Sequence, residues 1–198
     1  MAGRYLEVMF TPPVREAQRQ YYERAQALPP QPERNPLGDD EIDFIRARDS
    51  FYLASVSPTG WPYVQHRGGT AGFLRVLDPH RLAFADYKGN RQMLTTGHIA
   101  ADDRVSLFLM DYPQRQRLKI IGRAKVLDAR GHPELVESLS DAQTRPITER
   151  LFVIDVVSFD WNCPKYITPR YTAAEVEVSV AGLRARIREL EAALAARS

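Results

Sequence analysis

Residues 84–92 carry the clearest pattern for binding an anion. A β-type run ends in Asp86-Tyr87, a glycine-containing turn follows, and the sequence predicts that a helix begins near Asn90. The first turn of a helix has unpaired backbone N–H groups, which together with the helix dipole favour a negatively charged ligand. Lys88 and Arg91 add positive charge beside those groups. The pattern indicates a phosphate-binding turn; the alternative is an ordinary solvated surface that holds two cations.

Three polar residues stand in a row in a second β-type segment, residues 62–69. Because side chains alternate along a strand, we expect Gln65 and Arg67 on one face and His66 on the other. The following Gly68-Gly69 would let a ligand or another backbone approach closely. His66 is the best candidate for a catalytic acid or base, since imidazole titrates nearest to neutrality. The alternative for this histidine is a hydrogen-bonded structural role.

Two further segments combine cations with apolar or aromatic residues. Arg117 and Lys119 alternate with apolar residues, so they share one strand face, which either binds a ligand or is a solvated outer surface. A long apolar strand later gives way to a mixture that suits a planar aromatic ligand. The residues of that mixture are Trp161, Asn162, Cys163 and Lys165. The thiol of Cys163 is either reactive beside Lys165 or a small buried apolar group.

Seven short β-type runs separated by turn residues must position these side chains. They cover residues 51–57, 62–67, 73–77, 81–87, 104–112, 117–128 and 150–161. Runs at this spacing, mostly joined by tight turns, favour an antiparallel barrel over a parallel α/β sheet. Residues 89–103 interrupt them and are predicted to form a helix that crosses the barrel. Another helix is predicted from about His132 to Asp141.

The two ends of the chain are predicted to be helical. Thr11 followed by two prolines indicates a helix start, and we expect this helix to run to about Leu28, where the proline-rich linker 29–32 stops it. Asp39-Asp40 indicates the start of a second short helix. The expected division is therefore 1–38 for the N-terminal helix and linker, 39–170 for the barrel and 171–198 for a C-terminal amphipathic helix.

The C-terminal segment has the apolar spacing of a coiled coil, with alternating steps of four and three residues. The residues concerned are Val176, Val180, Leu183, Ile187, Leu190 and Leu194. Two interpretations remain open from the sequence: a helix packed on its own barrel, or a helix that pairs between subunits.

Composition narrows the functional classes. The 198 residues are 44% hydrophobic and 26% charged, which is typical of a globular domain. A net charge of only +2 gives no general case for nucleic acid, and a single cysteine excludes an intramolecular disulfide framework. Neither a signal peptide nor a membrane span is predicted, so we expect a cytoplasmic protein. No metal site is predicted.

Four motifs in a fixed order resemble the pyridoxamine 5′-phosphate oxidase-like FMN-binding split barrels, in a bacterial branch of unassigned substrate. The motifs are YVQHRGG, FADYKGNRQM, DYPQRQRLKIIGRAKV and WNCPKY, which together with the intervening barrel cover about half of the chain. Each motif is loose when taken singly, and the order of all four is what makes the resemblance specific.

The resemblance implies a mainly β, α+β fold: a six-stranded antiparallel split β-barrel with flanking helices, forming a homodimer that binds FMN between subunits. It also implies three groups of FMN contacts. These are Lys88, Asn90, Arg91 and Gln92 near the phosphate and ribityl chain; Gln65, His66, Arg67, Gly68, Asp86 and Tyr87 along the isoalloxazine ring; and Arg117, Lys119, Trp161, Asn162 and Lys165 from the partner subunit.

The sequence departs from the true oxidase of this family at three places. Residues 65–69 replace a longer basic and aliphatic strand motif, Arg91-Gln92 replaces an Arg-Lys pair, and the C-terminal Arg/His pattern that binds substrate is not evident after Tyr166. FMN binding is therefore expected, whereas vitamin B6 chemistry is not.

The main functional hypothesis is an FMN-dependent oxidoreductase that acts on a small molecule or uses NAD(P)H. A related deazaflavin in place of FMN stays open. The second hypothesis is a non-catalytic flavin carrier or redox sensor, or a relative that accepts haem, although the four histidines form no recognisable haem site. The third is a barrel kept for interaction through its C-terminal helix.

Overall fold

A computed structural model describes residues 3–161 and 164–196 of the chain. This described part contains six α-helices and seven strands and divides into two compact units. The larger unit comprises Met1–Met110 and Arg117–Cys163, and the smaller comprises Asp111–Gln116 and Pro164–Ser198. The candidate site lies within the larger unit, which holds almost the whole sheet.

The elements follow one another along the chain with short connections. The helices are α1 Gly3–Met9, α2 Pro12–Tyr22, α3 Asp39–Arg46, α4 Leu94–Ala101, α5 Pro133–Leu139 and α6 Ala173–Ala195. The strands are β1 Ser50–Val56, β2 Pro62–Gly68, β3 Arg75–Asp78, β4 Arg81–Tyr87, β5 Arg104–Asp111, β6 Gln116–Asp128 and β7 Thr148–Trp161. The helices predicted from Asp39 and near His132 are confirmed.

The seven strands form one sheet in the order β2-β1-β5-β6-β7-β4-β3, which is the split barrel that the sequence predicts. The pairs β1–β2, β1–β5, β3–β4, β4–β7 and β6–β7 are antiparallel. All seven β-type runs of the sequence become strands. The count of six strands is wrong by one, because the short run Arg75–Asp78 pairs with β4 and adds an edge strand.

Three phenylalanines make the centre of the core. Phe84 stacks on Phe152 at a centroid distance of 4.8 Å, and Phe51 meets Phe84 edge-on at 5.4 Å. All three side chains are almost completely buried. Burying each such ring contributes about 1.5–3 kcal/mol, so this cluster fixes β1, β4 and β7 against one another. The ends of β4 and β7 that carry the site are thereby held rigidly.

The N-terminal helices differ from the prediction. An additional helix, α1, precedes Thr11, and α2 ends at Tyr22 rather than near Leu28. The helix stops because Glu23 takes a left-handed conformation with φ of 61°. The chain then turns back, and the backbone of Gln26 bonds to the side chains of Arg15 and Gln18. These hydrogen bonds take the place of the backbone bonds that a continued helix would make.

The predicted start of α4 near Asn90 is also wrong. The helix begins at Leu94, after a non-helical turn over residues 88–93. Arg91 and Met93 have φ of 60° and 58°, a left-handed conformation that is incompatible with a continuing right-handed helix. The phosphate-binding turn of the sequence analysis is therefore longer than expected, and the helix N-terminus lies four residues later.

Helix α6 starts with a capping box in which Thr172 and Glu175 bond to each other's backbone N–H groups. The helix spans Ala173–Ala195, which confirms the C-terminal helix predicted from the sequence. Within the described ranges 3–161 and 164–196, no helix is both long and apolar enough to cross a membrane.

Gly122 lies at a bulge in the antiparallel pairing of β6 with β7. Its replacement by alanine is expected to destabilise the protein by about 1–3 kcal/mol. A Cβ at this position would lie 2.7 Å from the carbonyl oxygen of Asp155 and 2.8 Å from Cγ2 of Ile154. Gly131→Ala is the control, since nothing lies within 4 Å of its added Cβ. Thermal unfolding of both variants tests this, and equal Tm values for the two would contradict it.

Candidate functional site

A cavity of about 200 Å³ lies where β2, the end of β4, the turn after β4 and the start of α4 meet. The side chains around it are mostly polar. The lining residues are Tyr63, Gln65, Arg67, Asp86, Tyr87, Gly89, Asn90, Arg91, Gln92, Met93, Leu94, Thr95 and Thr96. The structure therefore brings the two principal motifs of the sequence, on β2 and after β4, to one place.

Asp86 lines this cavity and is the centre of a buried ion-pair network that extends to Arg150 and Glu149, which line a neighbouring cavity. One carboxylate oxygen accepts a short hydrogen bond from Arg67, and the other accepts from Nε of Arg150 at 2.8 Å. Arg150 also donates to Glu149 at 3.0 Å. Only 10% of the Asp86 side chain is exposed, so the two guanidinium groups replace water around the charge. The positive charges of the two arginines equal the negative charges of Asp86 and Glu149. Arg91, at the rim of the cavity, adds one further positive charge.

The Arg67 guanidinium is held by aromatic faces as well as by Asp86. It lies 5.6 Å from the centroid of Phe84 and 5.1 Å from that of Phe152, within the range of cation–π attraction. In the described part of the chain its Nε atom is buried and has no hydrogen-bond partner. Among the described residues, Nε of Arg4 and Nε of Arg117 are also buried without a partner, so this feature does not by itself mark a ligand site.

The turn and the helix start form the opposite wall of the cavity. Met93 is the N-cap of α4, and no side chain caps the amides of Leu94, Thr95 and Thr96. These amides and the helix dipole favour an anion. The left-handed conformations of Arg91 and Met93 cost of order 1 kcal/mol or more each, and such strain concentrates at ligand-binding sites.

Local hydrogen bonds fix the polar side chains of both walls. Thr95 Oγ1 donates to Oε1 of Gln65 at 2.8 Å, which ties the start of α4 to β2. The backbone N–H of Gln92 donates to Oδ1 of Asn90 at 3.1 Å, an Asx-type turn that shapes the loop. Gln65 and Asn90 therefore support the walls of the cavity as well as line them.

His66 lies on the other side of β2, as the alternation predicts. The residues Tyr63, Gln65 and Arg67 are half-buried and line the cavity, whereas His66 is exposed and does not. Its ring meets Tyr52 edge-on at 5.7 Å. The catalytic role predicted for His66 stays a prediction, and the cavity of a single chain does not include this histidine.

The remaining predicted residues are not among those that line the cavity. Gly68 and Lys88 are exposed nearby, and Arg117, Lys119 and Trp161 lie elsewhere in the larger unit. Lys165 is an exposed residue of the smaller unit. Asn162 and Cys163 lie outside the described residues. Whether a partner subunit supplies any of these groups stays a prediction.

Trp161 and Lys119 have structural partners within the chain. The indole Nε1 of Trp161 donates to Glu41 at 2.5 Å, and its ring packs edge-on against Phe44 at 4.8 Å. Lys119 pairs with Asp160 at 2.9 Å and lies over the ring of Tyr5. Burial, with the charge of Asp160, raises the pKa of Tyr5. These contacts anchor α3 and α1 to the sheet.

Several residues of the site were not predicted from the sequence. The alternation that selects Gln65 and Arg67 also selects Tyr63, so the strand pattern contains that signal. Met93 to Thr96 line the cavity because α4 starts later than expected. Arg150 reaches Asp86 because β7 pairs with β4 in the register Asp86↔Arg150. Nothing local in the sequence indicates this contact.

Two larger cavities of the larger unit, about 1040 and 1000 Å³, are less suited to an anionic ligand. The described arginines on their walls already pair with carboxylates or with backbone carbonyls, although Nε of Arg4 is buried without a partner, as Nε of Arg67 is. Arg130 pairs with Asp128, Arg123 with Asp103, and Arg34 donates to the carbonyls of Val156 and His80. The cavity at Arg67 is the stronger candidate because both motifs predicted from the sequence, on β2 and after β4, line it together with an uncapped helix start.

The fold and the site define a class: a split barrel with a polar cavity between a strand and a helix start. Residues 39–159 match the family model described as pyridoxamine 5′-phosphate oxidase. This match covers more than half of the chain, and the protein belongs to the pyridoxamine 5′-phosphate oxidase-like family. A search of curated proteins finds no match.

Solved structures show the same fold at low sequence identity. A candidate pyridoxamine 5′-phosphate oxidase from Lactobacillus delbrueckii is 18% identical with a TM-score of 0.50, covering 63% of this chain and 93% of its own. HupZ of Group A Streptococcus is 11% identical with a TM-score of 0.50, covering 68% of this chain and 99% of its own. At these identities the likeness concerns the fold alone.

Proposed function

We propose that this protein binds FMN through the cavity at Arg67 and acts as an FMN-dependent oxidoreductase. The observation that carries the proposal is one cavity that combines Arg67 and Arg91 with the uncapped start of α4. Membership of the pyridoxamine 5′-phosphate oxidase-like family supports a flavin as the ligand.

The residues present fit the anionic tail of FMN. The amides of Leu94 to Thr96, with Arg91 and Asn90, would hold the phosphate and neighbouring hydroxyl groups. Arg67, which Asp86 and two aromatic rings keep in place, would contribute its positive charge. FMN, when bound, supplies hydride or electron transfer. The chain's own residues bind it, orient it and exclude water from the charged network.

The size of the cavity supports a shared site. A volume of about 200 Å³ is below the roughly 300–1,000 Å³ of sites that enclose a drug-sized ligand. One chain would therefore enclose only part of FMN. A second copy would cover the rest, which supports a homodimer with the cofactor between subunits. The candidates for contacts from the partner are then Arg117, Lys119, Asn162, Lys165 and Trp161. Trp161 and Lys119 are the weakest of them, because both already have partners within the chain.

The proposal is tested by identifying the chromophore of the purified protein. We expect flavin absorbance bands and, after denaturation, a released compound with the mass of FMN. A deazaflavin or haem mass would replace the cofactor assignment, and a colourless protein that takes up no FMN from an excess would refute it. Anaerobic addition of NADH or NADPH, followed by air, separates the two functional hypotheses. Bleaching and recovery support an oxidoreductase, and an unchanged spectrum with both donors and with candidate substrates supports a carrier or sensor.

A further inference from the structure

The exposed apolar stripe of α6 is a surface that the proposed flavin site does not use. It consists of Val176, Val180, Leu183, Ile187, Leu190 and Leu194, spaced alternately by four and three residues over a 23-residue helix; Val180 is half-buried and the other five are exposed. Leu183, Ile187 and Leu194 are 67%, 54% and 66% exposed in the single chain. Exposed large apolar side chains in a continuous row indicate a surface that another element covers.

We propose that α6 pairs with α6 of a second copy of this chain as a parallel, in-register two-stranded coiled coil. The step of four from Val176 to Val180 makes Val176, Leu183 and Leu190 the d positions of a heptad. Val180, Ile187 and Leu194 are then the a positions. Two of the three a residues are β-branched and two of the three d residues are leucine, the distribution that favours parallel dimers.

Charges beside the seam agree with the same partner and orientation. In this frame Arg186 occupies a g position and Glu191 the e position of the next heptad. A g residue of one helix lies next to that e residue of the other only in a parallel, in-register pair. A symmetric dimer would thus contain two Arg186–Glu191 ion pairs. In the single chain Arg186 pairs with Glu189 on the solvated helix surface, a contact that is weak and easily exchanged.

The outward face of α6 has one exposed large apolar side chain among the described residues, Val178 at an f position, whereas the seam has a row of six apolar positions. Gly182, Ala185 and Ala192 lie at c and f positions, away from the seam. A helix of this length spans about 35 Å, which provides only three heptads and is marginal for an isolated pair. A barrel dimer of the kind proposed above would hold two α6 helices at high effective concentration. The pairing does not depend on flavin binding itself.

Disulfide trapping in the full-length protein tests the pairing. In a Cys163→Ser background, Leu190→Cys places one thiol at a d position, and Ala192→Cys places one on the outward face of the same helix. We expect Leu190→Cys to form disulfide dimers at least about tenfold faster under mild oxidation, because identical d residues face each other in a parallel pair. Equal rates would overturn the proposal, whether α6 pairs antiparallel or packs elsewhere.

Charge exchange supplies a second, independent readout. In the Leu190→Cys chain, Arg186→Glu or Glu191→Arg alone is expected to slow cross-linking, and the two together are expected to restore it. Failure of the double exchange would overturn the assigned register. Flavin content of each preparation is measured in parallel. A yellow protein without preferential cross-linking refutes only the helix pairing, and a colourless protein that cross-links rapidly refutes only the flavin site.

Discussion

Asp86→Ala is expected to lower the free energy of unfolding by about 3–5 kcal/mol, because it leaves two buried guanidinium groups without their shared carboxylate. Arg67 and Arg150 are 15% and 17% exposed, so water cannot fully replace the lost partner. The same change removes the group that holds Arg67 at the cavity, so flavin retention should fall together with stability. Urea unfolding monitored by circular dichroism measures the first effect.

Asp155→Ala is a closely matched control for that experiment. Asp155 also pairs with an arginine across the β4–β7 ladder, where the register is Arg81↔Asp155. That pair is solvated, with 50% of Arg81 and 32% of Asp155 exposed, so its loss should cost no more than about 1 kcal/mol. Equal destabilisation by the two alanines would mean that the Asp86 network has no special energetic role. If Asp86→Ala does not fold, Asp86→Asn, which keeps the shape and one acceptor, allows the same comparison.

Strand periodicity made one wall of the site predictable from the sequence. Alternation along β2 depends only on neighbouring residues, so Gln65 and Arg67 could be placed on one face and His66 on the other. The seven strands were recognisable for the same reason. The number of strands in the barrel was not predictable from the sequence, because whether Arg75–Asp78 joins the sheet depends on its pairing with β4.

Contacts distant in sequence were beyond local patterns. Arg150 bonds to a carboxylate 64 residues away, and Trp161 bonds to one 120 residues away. Strand register places the first contact, the packing of α3 against β7 places the second, and the sequence contains no local signal for either. The start of α4 is a related case, because left-handed conformations at Arg91 and Met93 conflict with local preference and are imposed by the surrounding structure.

Arg91→Ala is expected to weaken FMN binding about 10- to 100-fold, since a charge-assisted hydrogen bond to a phosphate contributes about 1.5–3 kcal/mol. Arg91 is exposed at the rim, outside the buried network, so the apoprotein should remain folded. Titration of the apoprotein with FMN, followed by quenching of flavin fluorescence, gives the Kd. Riboflavin, which lacks the phosphate, should bind the variant and the unchanged protein equally well.

Arg115→Ala controls for the unusual backbone at this position. Arg115 also has a left-handed conformation, with φ of 54° against 60° for Arg91, so both variants place alanine in the same strained region. Arg115 does not line the cavity, and its replacement should leave the Kd for FMN unchanged. If both variants weaken FMN equally, backbone strain accounts for the effect. If Arg91→Ala weakens FMN binding but not riboflavin binding, and Arg115→Ala weakens neither, the phosphate lies at the turn before α4. Only a contact between Arg91 and the phosphate would be lost both when the arginine is replaced and when the phosphate is absent.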